Sequence, residues 1–194
     1  MKLVLASSSP YRRQVLSRLQ LPFKAMAPEI DETPHGDEKI APYVRRLAEE
    51  KARALADQCP DTLIIGSDQA CALQGLILGK PGTAEAAAQH LALCSGQWVT
   101  FYTGLALYHS GTDSMQSLVE TYRVKFRELT SEEIAGYIRL DQPLDCAGSF
   151  KVEQSGIALF EAMEGRDYNT LLGMPMIALI TLLREAGLNP LLAS

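Results

Sequence analysis

The first residues of the chain combine a short apolar run with an abrupt helix start. Residues 2–6 have the composition of a buried strand. Ser9 suits the N-cap of the helix predicted over residues 10–19, and Pro10 suits its first position. A strand followed at once by an amphipathic helix favours a fold in which helices pack against a sheet.

The charge of this helix start is unusual. First turns favour Asp or Glu, because the helix dipole is positive there, yet this one carries Arg12 and Arg13. Free N–H groups, the hydroxyls of Ser7 and Ser9, and two guanidinium groups together favour a bound polyanion. The segment therefore predicts phosphate chemistry. A net charge of -5 and a pI near 5.2 argue against a general binder of nucleic acid or membrane surfaces.

Hydrophobic periodicity along the chain predicts an α/β fold with a mixed sheet. Strands are predicted at residues 2–6, 23–27, 62–66, 76–78, 99–108, 118–126 and 157–160, with a further short strand within 141–150. Helices are predicted over residues 10–19, 41–56, 84–94 and 175–186, with another that starts at a capping box at Thr130. The early alternation and the central hairpin suggest two lobes with a cleft between them.

The spacing of the cysteines and the N-terminal residues indicate the cellular compartment of the protein. The four cysteines are widely spaced and form no CxxC pair, which favours free buried thiols over a zinc site or a disulfide framework. We find no signal-peptide pattern and no apolar run as long as a membrane span. We therefore expect a cytoplasmic protein without a membrane or nucleic-acid partner.

Two cations interrupt the apolar stripes of their helices. Arg12 lies three, four and seven residues before the apolar positions of the first helix, and Lys51 lies four after Leu47 and four before Leu55. A cation in such a stripe must reach water, a partner carboxylate or a bound anion. Each residue alone is also compatible with a side chain that reaches water at the edge of its stripe.

Carboxylates in two places are candidates for divalent metal binding. Glu32 lies in an acidic loop over residues 28–37, and Asp68 follows the strand predicted at 62–66, where open α/β sheets place ligands. Mg²⁺ and Mn²⁺ prefer carboxylate oxygens together with substrate phosphates. Lys80 is a candidate phosphate contact. Each candidate also has an interpretation without a ligand. The charges of the acidic loop are then exposed to solvent, Asp68 stabilises a turn, and Lys80 is an ordinary loop lysine.

An ordered set of short motifs resembles the Maf family of nucleoside triphosphate pyrophosphatases. The motifs are Leu5-Ala6-Ser7-Ser8-Ser9-Pro10-Tyr11-Arg12-Arg13, Ile30-Asp31-Glu32, Glu50-Lys51-Ala52-Arg53, Gly66-Ser67-Asp68-Gln69, Gly79-Lys80-Pro81 and Ala147-Gly148-Ser149-Phe150. The resemblance spans most of the chain and implies one Maf-like domain over residues 1–194, similar in architecture to the inosine triphosphate pyrophosphatases.

The resemblance also implies a reaction and roles for the motif residues. The reaction is hydrolysis between the α and β phosphates of a nucleoside triphosphate, with a divalent cation as cofactor. The resemblance also implies a homodimer. Asp68 matches the general base, and it is open whether it is base, metal ligand or both. Glu32 matches a carboxylate near the metal. Lys51, Lys80 and Arg12 match phosphate-contacting cations, and Ser7 and Ser9 match the phosphate loop. Arg13, next to Arg12, is a further candidate for substrate binding.

Three residues depart from the commoner family pattern and are similar to the subgroup that hydrolyses 7-methyl-GTP. They are Tyr11, Gln69 and Glu153. Methylation at N7 makes guanine cationic, so an aromatic ring such as Tyr11 can stack on it. Glu153 can accept from the guanine N1–H and amino group. Alternatively, Tyr11 and Glu153 are ordinary surface residues.

Two other functions stay open from the sequence. One is a dTTP or UTP pyrophosphatase of the same family. The other is a nucleotide-binding regulator of cell division, which would bind nucleotide without metal-dependent release of pyrophosphate. The clustered cations and carboxylates favour an enzyme, because a pure binder has no need of Asp68.

Overall fold

The computed structural model describes residues 1–192. The strands are β1 (Lys2–Ala6), β2 (Lys24–Met26), β3 (Thr62–Leu73), β4 (Leu76–Leu78), β5 (Trp98–His109), β6 (Ser114–Phe126) and β7 (Phe160–Gly165). The α-helices are α1 (Pro10–Ser17), α2 (Ile40–Arg53), α3 (Ala84–Cys94), α4 (Ser131–Asp141) and α5 (Met176–Glu185). Short 3₁₀ turns occupy Ala147–Ser149, Ser155–Leu159 and Tyr168–Leu172.

The seven strands form one mixed sheet. Its order is β2-β1-β3-β5-β6-β7, and β4 pairs with β3 off this path. Strand β1 pairs in parallel with β2 and with β3, whereas β4 is antiparallel to β3 and β7 is antiparallel to β6. The predicted fold class, a mixed sheet with flanking helices, is confirmed.

Strand β3 is longer than the sequence pattern predicts. The prediction ends it at Gly66, because Ser67, Asp68 and Gln69 interrupt the apolar run, but the strand continues to Leu73. These three polar side chains each have a hydrogen-bond partner, so their burial is compensated. Asp68 therefore lies within the strand. It follows the point where pairing with β1 ends, at Ala6 opposite Gly66.

Two further predictions fail in the second half of the chain. The strand predicted at 157–160 is a 3₁₀ turn, and β7 begins only at Phe160. The short strand predicted within 141–150 is absent from that segment, all of which the structure describes. Gly148 and Ser149 there have φ values of 76° and 63°, a left-handed conformation that cannot continue a strand.

The chain divides into two compact units. The first contains Met1–Gln69, Thr103–Glu120 and the segment from Asp167 onward. Its sheet residues alternate between two apolar clusters, as the two-residue period of strands requires. One cluster joins β1, β3 and β5 to α1 and α5, through residues such as Leu5, Leu16, Ile65, Leu105 and Leu179. The other joins the opposite face to α2, through residues such as Val4, Ala48, Ala52, Ile64 and Ala106.

The second unit contains Ala70–Tyr102 and Thr121–Arg166. Its core includes four phenylalanines in edge-to-face contact, with centroid separations of 4.8–5.8 Å. They are Phe101, Phe126, Phe150 and Phe160. Helix α4 begins at the predicted capping box, in which Thr130 and Glu133 exchange side-chain and backbone hydrogen bonds.

All four cysteines are free, as the sequence predicts. Cys59, Cys71 and Cys94 are buried, whereas Cys146 is half-buried. Burial raises the pKa of the Cys94 thiol to about 12 and raises that of Cys71 as well, so both thiols are protonated and unreactive at neutral pH.

No helix within residues 1–192 is long and apolar enough to cross a membrane.

Candidate active site

The packing of α2 on the sheet brings Lys51 opposite Asp68. Ile64 of β3 packs with Ala48 and Ala52 of α2. Asp68 lies four residues after Ile64, so it projects from the same face of the strand. Lys51 lies one turn after Ala48, so it projects from the same side of the helix. The apolar contact and the two periodicities are therefore sufficient to align this pair.

Lys51 connects two carboxylates. Its Nζ lies 2.5 Å from Asp68 Oδ1 and 2.7 Å from Glu32 Oε1. Lys51 and Asp68 are only 7% and 8% exposed, whereas the Glu32 side chain is 58% exposed. Of the alternatives for a cation in an apolar stripe, Lys51 therefore contacts partner carboxylates and does not reach water at the edge of its stripe.

The serines of the predicted phosphate segment order the start of α1. Ser9 is the N-cap, and its Oγ accepts a hydrogen bond from the Arg12 N–H at 3.4 Å. Ser7 is buried, and its Oγ accepts from the Ser9 N–H at 3.1 Å. The predicted cap is confirmed. Both hydroxyls act here as acceptors, which leaves their protons available to an anion.

Arg12 and Arg13 have different surroundings. Arg12 is half-buried and its Nε donates to the carbonyl of Gly173 at 3.1 Å. Burial lowers the pKa of the Arg12 guanidinium, and the negative charges of Asp68 and Glu32 oppose this shift. Arg13 is exposed on α1. The structure thus groups Arg12, and not Arg13, with the buried ion pair.

Gln69 contacts the backbone of its own unit. Its Nε2 donates to the carbonyl of Thr170 at 2.6 Å and to Thr103 Oγ1 at 3.0 Å. Ser67, two residues earlier, donates to the Gly173 carbonyl at 2.7 Å. The predicted specificity residue Gln69 therefore anchors the turn at residues 168–172.

Sequence reasoning missed several supporting residues. Ser67 and Gly173 form the hydrogen bonds that hold the turn against Arg12, and Tyr43 donates its hydroxyl proton to the Glu32 carbonyl at 2.9 Å. The one signal in the sequence is that residue 173 is a glycine. Its φ is 76°, a conformation that glycine adopts most readily. Ser67 and Tyr43 have no distinctive spacing.

The remaining predicted residues are Tyr11, Lys80 and Glu153. Tyr11 is half-buried on the first turn of α1. Lys80 is exposed in the loop after β4, and Glu153 is exposed in the turn before the 3₁₀ segment at 155–159. Lys80 and Glu153 both belong to the second unit.

Within residues 1–192, no group of three or more His, Cys, Asp or Glu side chains is arranged to hold a metal ion. The carboxylates of Glu32 and Asp68 nevertheless meet at a single point, the ammonium group of Lys51.

Residues 2–186 match the Maf-like protein family. The chain belongs to the Maf-like family. The family resemblance predicted from the motifs is therefore confirmed, although the match does not distinguish subgroups of Maf-like proteins.

This Maf-like chain is similar to several solved structures. The Ham1 protein of Staphylococcus aureus is 14% identical, with a TM-score of 0.54 over 96% of this chain and 100% of that chain. A nucleoside-triphosphatase (dITP/XTP pyrophosphatase) of Mycobacterium abscessus is 17% identical, with a TM-score of 0.48 over 95% of this chain and 100% of that chain. The Ham1 match agrees with the predicted α/β architecture.

Proposed function

We propose that this chain is a nucleoside triphosphate pyrophosphatase that hydrolyses 7-methyl-GTP to 7-methyl-GMP and pyrophosphate. Membership of the Maf-like family supports the general activity. The choice of 7-methyl-GTP is the finer part of the proposal, and it rests on the chemistry of Tyr11 and Glu153.

One observation carries the general activity. A buried lysine lies between two carboxylates, and a half-buried arginine lies close enough for both carboxylates to influence its pKa. Phosphate hydrolysis needs cations that stabilise charge on phosphate oxygens and a carboxylate that accepts a proton from water. Lys51, Arg12 and Asp68 meet both needs within one unit.

The triphosphate would bind at the start of α1. The Ser7 and Ser9 hydroxyls and the guanidinium of Arg12 would donate to phosphate oxygens, as helix N-termini commonly do for anions. Lys51 would then divide its hydrogen bonds between phosphate and carboxylate. That change would weaken its hold on Asp68 and make the carboxylate a better proton acceptor. Arg13 would add a peripheral cation to the bound phosphates.

The chemical step is attack by water at phosphorus. The new bond joins the water oxygen to the α phosphorus, and the bond broken is the one from that phosphorus to the oxygen that bridges the α and β phosphates. Pyrophosphate leaves with the electron pair of that bond. Asp68, directly or through the neighbouring carboxylate of Glu32, takes the proton of the attacking water. Lys51 and Arg12 stabilise the charge that develops on the phosphate oxygens.

The residues present fit a divalent cation. Asp68 and Glu32 offer hard oxygen ligands that already converge on one cationic group, and Mg²⁺ is usually bound by one or two carboxylates together with substrate phosphates. Glu32 and Asp68 would hold Mg²⁺ or Mn²⁺. When bound, the ion would neutralise phosphate charge and polarise the phosphoryl oxygens.

The test of the proposal is pyrophosphate release from 7-methyl-GTP, GTP, dTTP, UTP and CTP, each with and without Mg²⁺ or Mn²⁺. Metal-dependent release from 7-methyl-GTP alone supports both the reaction and the substrate. Release mainly from dTTP and UTP keeps the enzyme class and overturns the substrate. Tight binding without release from any of them favours a nucleotide-binding regulator.

Two expectations accompany the proposal. The family resemblance implies a homodimer, which light scattering after size-exclusion chromatography would test. The location that we expect is the cytoplasm, where free nucleotides are the substrate pool.

A further inference from the structure

Glu32 lies on an exposed loop between β2 and α2, yet its carboxylate meets the buried Lys51. A long loop alone would leave this side chain many conformations. The contacts that tie the loop to α2 therefore decide how often Glu32 reaches its position.

Arg46 of α2 makes the most extensive of these contacts. Its Nε and Nη2 donate to the two oxygens of Glu38 at 2.9 and 2.8 Å, a bidentate pair. Nη2 also donates to the carbonyl of Thr33 at 3.2 Å, next to Glu32 in the chain. Nη1 donates to Glu50 at 3.1 Å, so the guanidinium is held from the helix side as well. The Arg46 and Glu38 side chains are only 18% and 12% exposed.

Tyr43 supplies a second anchor, three residues earlier on the same helix. Its hydroxyl donates to the carbonyl of Glu32 itself at 2.9 Å. The Arg46 guanidinium lies 5.6 Å from the centre of the Tyr43 ring, so the two anchors also support each other. Burial raises the pKa of Tyr43, and the charges of Asp68 and Glu32 raise it further, which keeps its hydroxyl protonated as a donor.

The anchors and the ion pair lie on adjoining sides of α2. Tyr43, Arg46 and Glu50 follow one another at spacings of three and four residues, which places them along one side of the helix. Lys51 comes next after Glu50 and lies on the neighbouring, buried side with Leu47 and Ala48. A single rigid element thus holds both the backbone of the Glu32 loop and the lysine that its carboxylate meets.

We infer that Arg46 and Tyr43 are positioning residues that hold Glu32 at Lys51 and Asp68, and so set the rate of pyrophosphate release. This inference rests on the proposed function. Neither residue touches the reacting atoms. Both act through Glu32, so their contribution exists only while the Glu32 carboxylate is present.

The first arm of the test does not depend on activity. Hydrogen exchange of the segment 30–39 is compared among wild type, Arg46→Met, Tyr43→Phe and the control Arg45→Met. Arg45 precedes Arg46 on α2 but pairs with Glu49 and Ser117 instead of the loop. We expect Arg46→Met to raise exchange across the segment and Tyr43→Phe to raise it near Glu32, whereas Arg45→Met leaves it unchanged. Wild-type protection in Arg46→Met would overturn the inference.

The second arm is a double-mutant cycle on pyrophosphate release, measured with excess enzyme so that slow variants remain quantifiable. We expect Arg46→Met to lower kcat about 10-fold with little change in KM, because small displacements of a catalytic group cost up to about 100-fold. In the Glu32→Gln background the same change should cost less than about 2-fold. If Arg46→Met lowers kcat by the same factor in both backgrounds, Arg46 has a general structural role and the inference is overturned.

The two arms separate this inference from the proposed function. A wild-type protein that releases no pyrophosphate from any nucleotide defeats the proposed function, and the exchange arm still decides whether Arg46 and Tyr43 hold the loop. If the wild type is active and Arg46→Met lowers kcat equally with and without the Glu32 carboxylate, only the inference fails.

Discussion

The main chain of Gly66 on β3 packs directly against the carbonyl of Ala48 on α2. A methyl group at Gly66 would overlap that carbonyl and also approach the Ala52 nitrogen to 3.0 Å. The strand and the helix are therefore as close as their backbones allow. Asp68 follows Gly66 by two residues, and Lys51 follows Ala48 by three, so this approach brings their side chains within hydrogen-bond distance.

Gly66→Ala should strongly destabilise the protein. The obstructing atoms belong to a helix backbone and cannot rotate away, so the overpacking should lower the free energy of unfolding by about 3 kcal/mol or more. Gly79→Ala is the matched control, since a methyl group there meets nothing within 4 Å. Urea unfolding of both variants is the measurement. Equal midpoints would contradict the role assigned to this contact.

Asp68→Asn should fold but lose nearly all turnover, because an amide cannot accept the proton of the attacking water. We expect kcat to fall by about 10²–10⁴-fold, the usual contribution of general base catalysis. The measurement is pyrophosphate release under saturating substrate. Asp57→Asn, at an exposed turn, is the control. Near-normal turnover of a folded Asp68→Asn protein would remove Asp68 from the mechanism.

Lys51→Met should destabilise the protein, because it leaves the carboxylate of Asp68 buried without its cation. Removal of one partner of a buried ion pair costs about 3–5 kcal/mol. We expect the double variant Lys51→Met/Asp68→Asn to recover part of this loss, since it no longer buries an uncompensated charge. Urea unfolding of the two single variants and the double variant measures the coupling. A double variant less stable than Lys51→Met would contradict the charge argument.

Tyr11→Arg and Glu153→Gln together should shift preference away from 7-methyl-GTP. The first change removes a ring that stacks on a cationic base, and the second removes the negative charge that complements it. We expect the ratio of kcat/KM for 7-methyl-GTP over UTP to fall by at least about 10-fold, or about 1.4 kcal/mol. An unchanged ratio would show that neither residue reads the base.

The Glu38–Arg46 pair should make stability depend on pH in the acid range. Hydrogen bonds from Arg46 lower the pKa of Glu38 from 4.5 to about 2. Because the folded pKa is the lower one, the stabilisation is fully present above about pH 4.5 and is lost as the pH falls through about 2. Glu38→Gln should therefore flatten the fall in urea midpoint across this window. Glu161→Gln, an exposed carboxyl on β7, should retain the wild-type slope.

The local pattern of the chain was enough to predict most elements. The bounds of β1 and α3, the cap at Ser9 and the capping box at Thr130 all agree with the structure. These features depend on nearest neighbours and on periodicity, which a sequence displays directly. The turn at Gln74-Gly75 between β3 and β4 is of the same local kind, and both residues have positive φ.

The elements that sequence reasoning misplaced depend on distant partners. Strand β3 continues through Ser67, Asp68 and Gln69 because atoms far along the chain satisfy their polar groups. The segment at 157–160 has the composition of a strand, but hydrogen bonds to the Lys151 carbonyl turn the chain just before it. Such partners have no regular spacing and therefore leave no pattern in the sequence.

The same distinction applies to the candidate site. The sequence by itself determined that Lys51 and Arg12 lie on inward faces, and hence that each needs a counter-charge, a bound anion or a route to water. Only the tertiary structure decided that the partners of Lys51 are Asp68 and Glu32, and that Arg12 donates to Gly173. The physical reason is that burial follows from the local period of a helix, whereas the identity of a partner depends on how closely two elements pack.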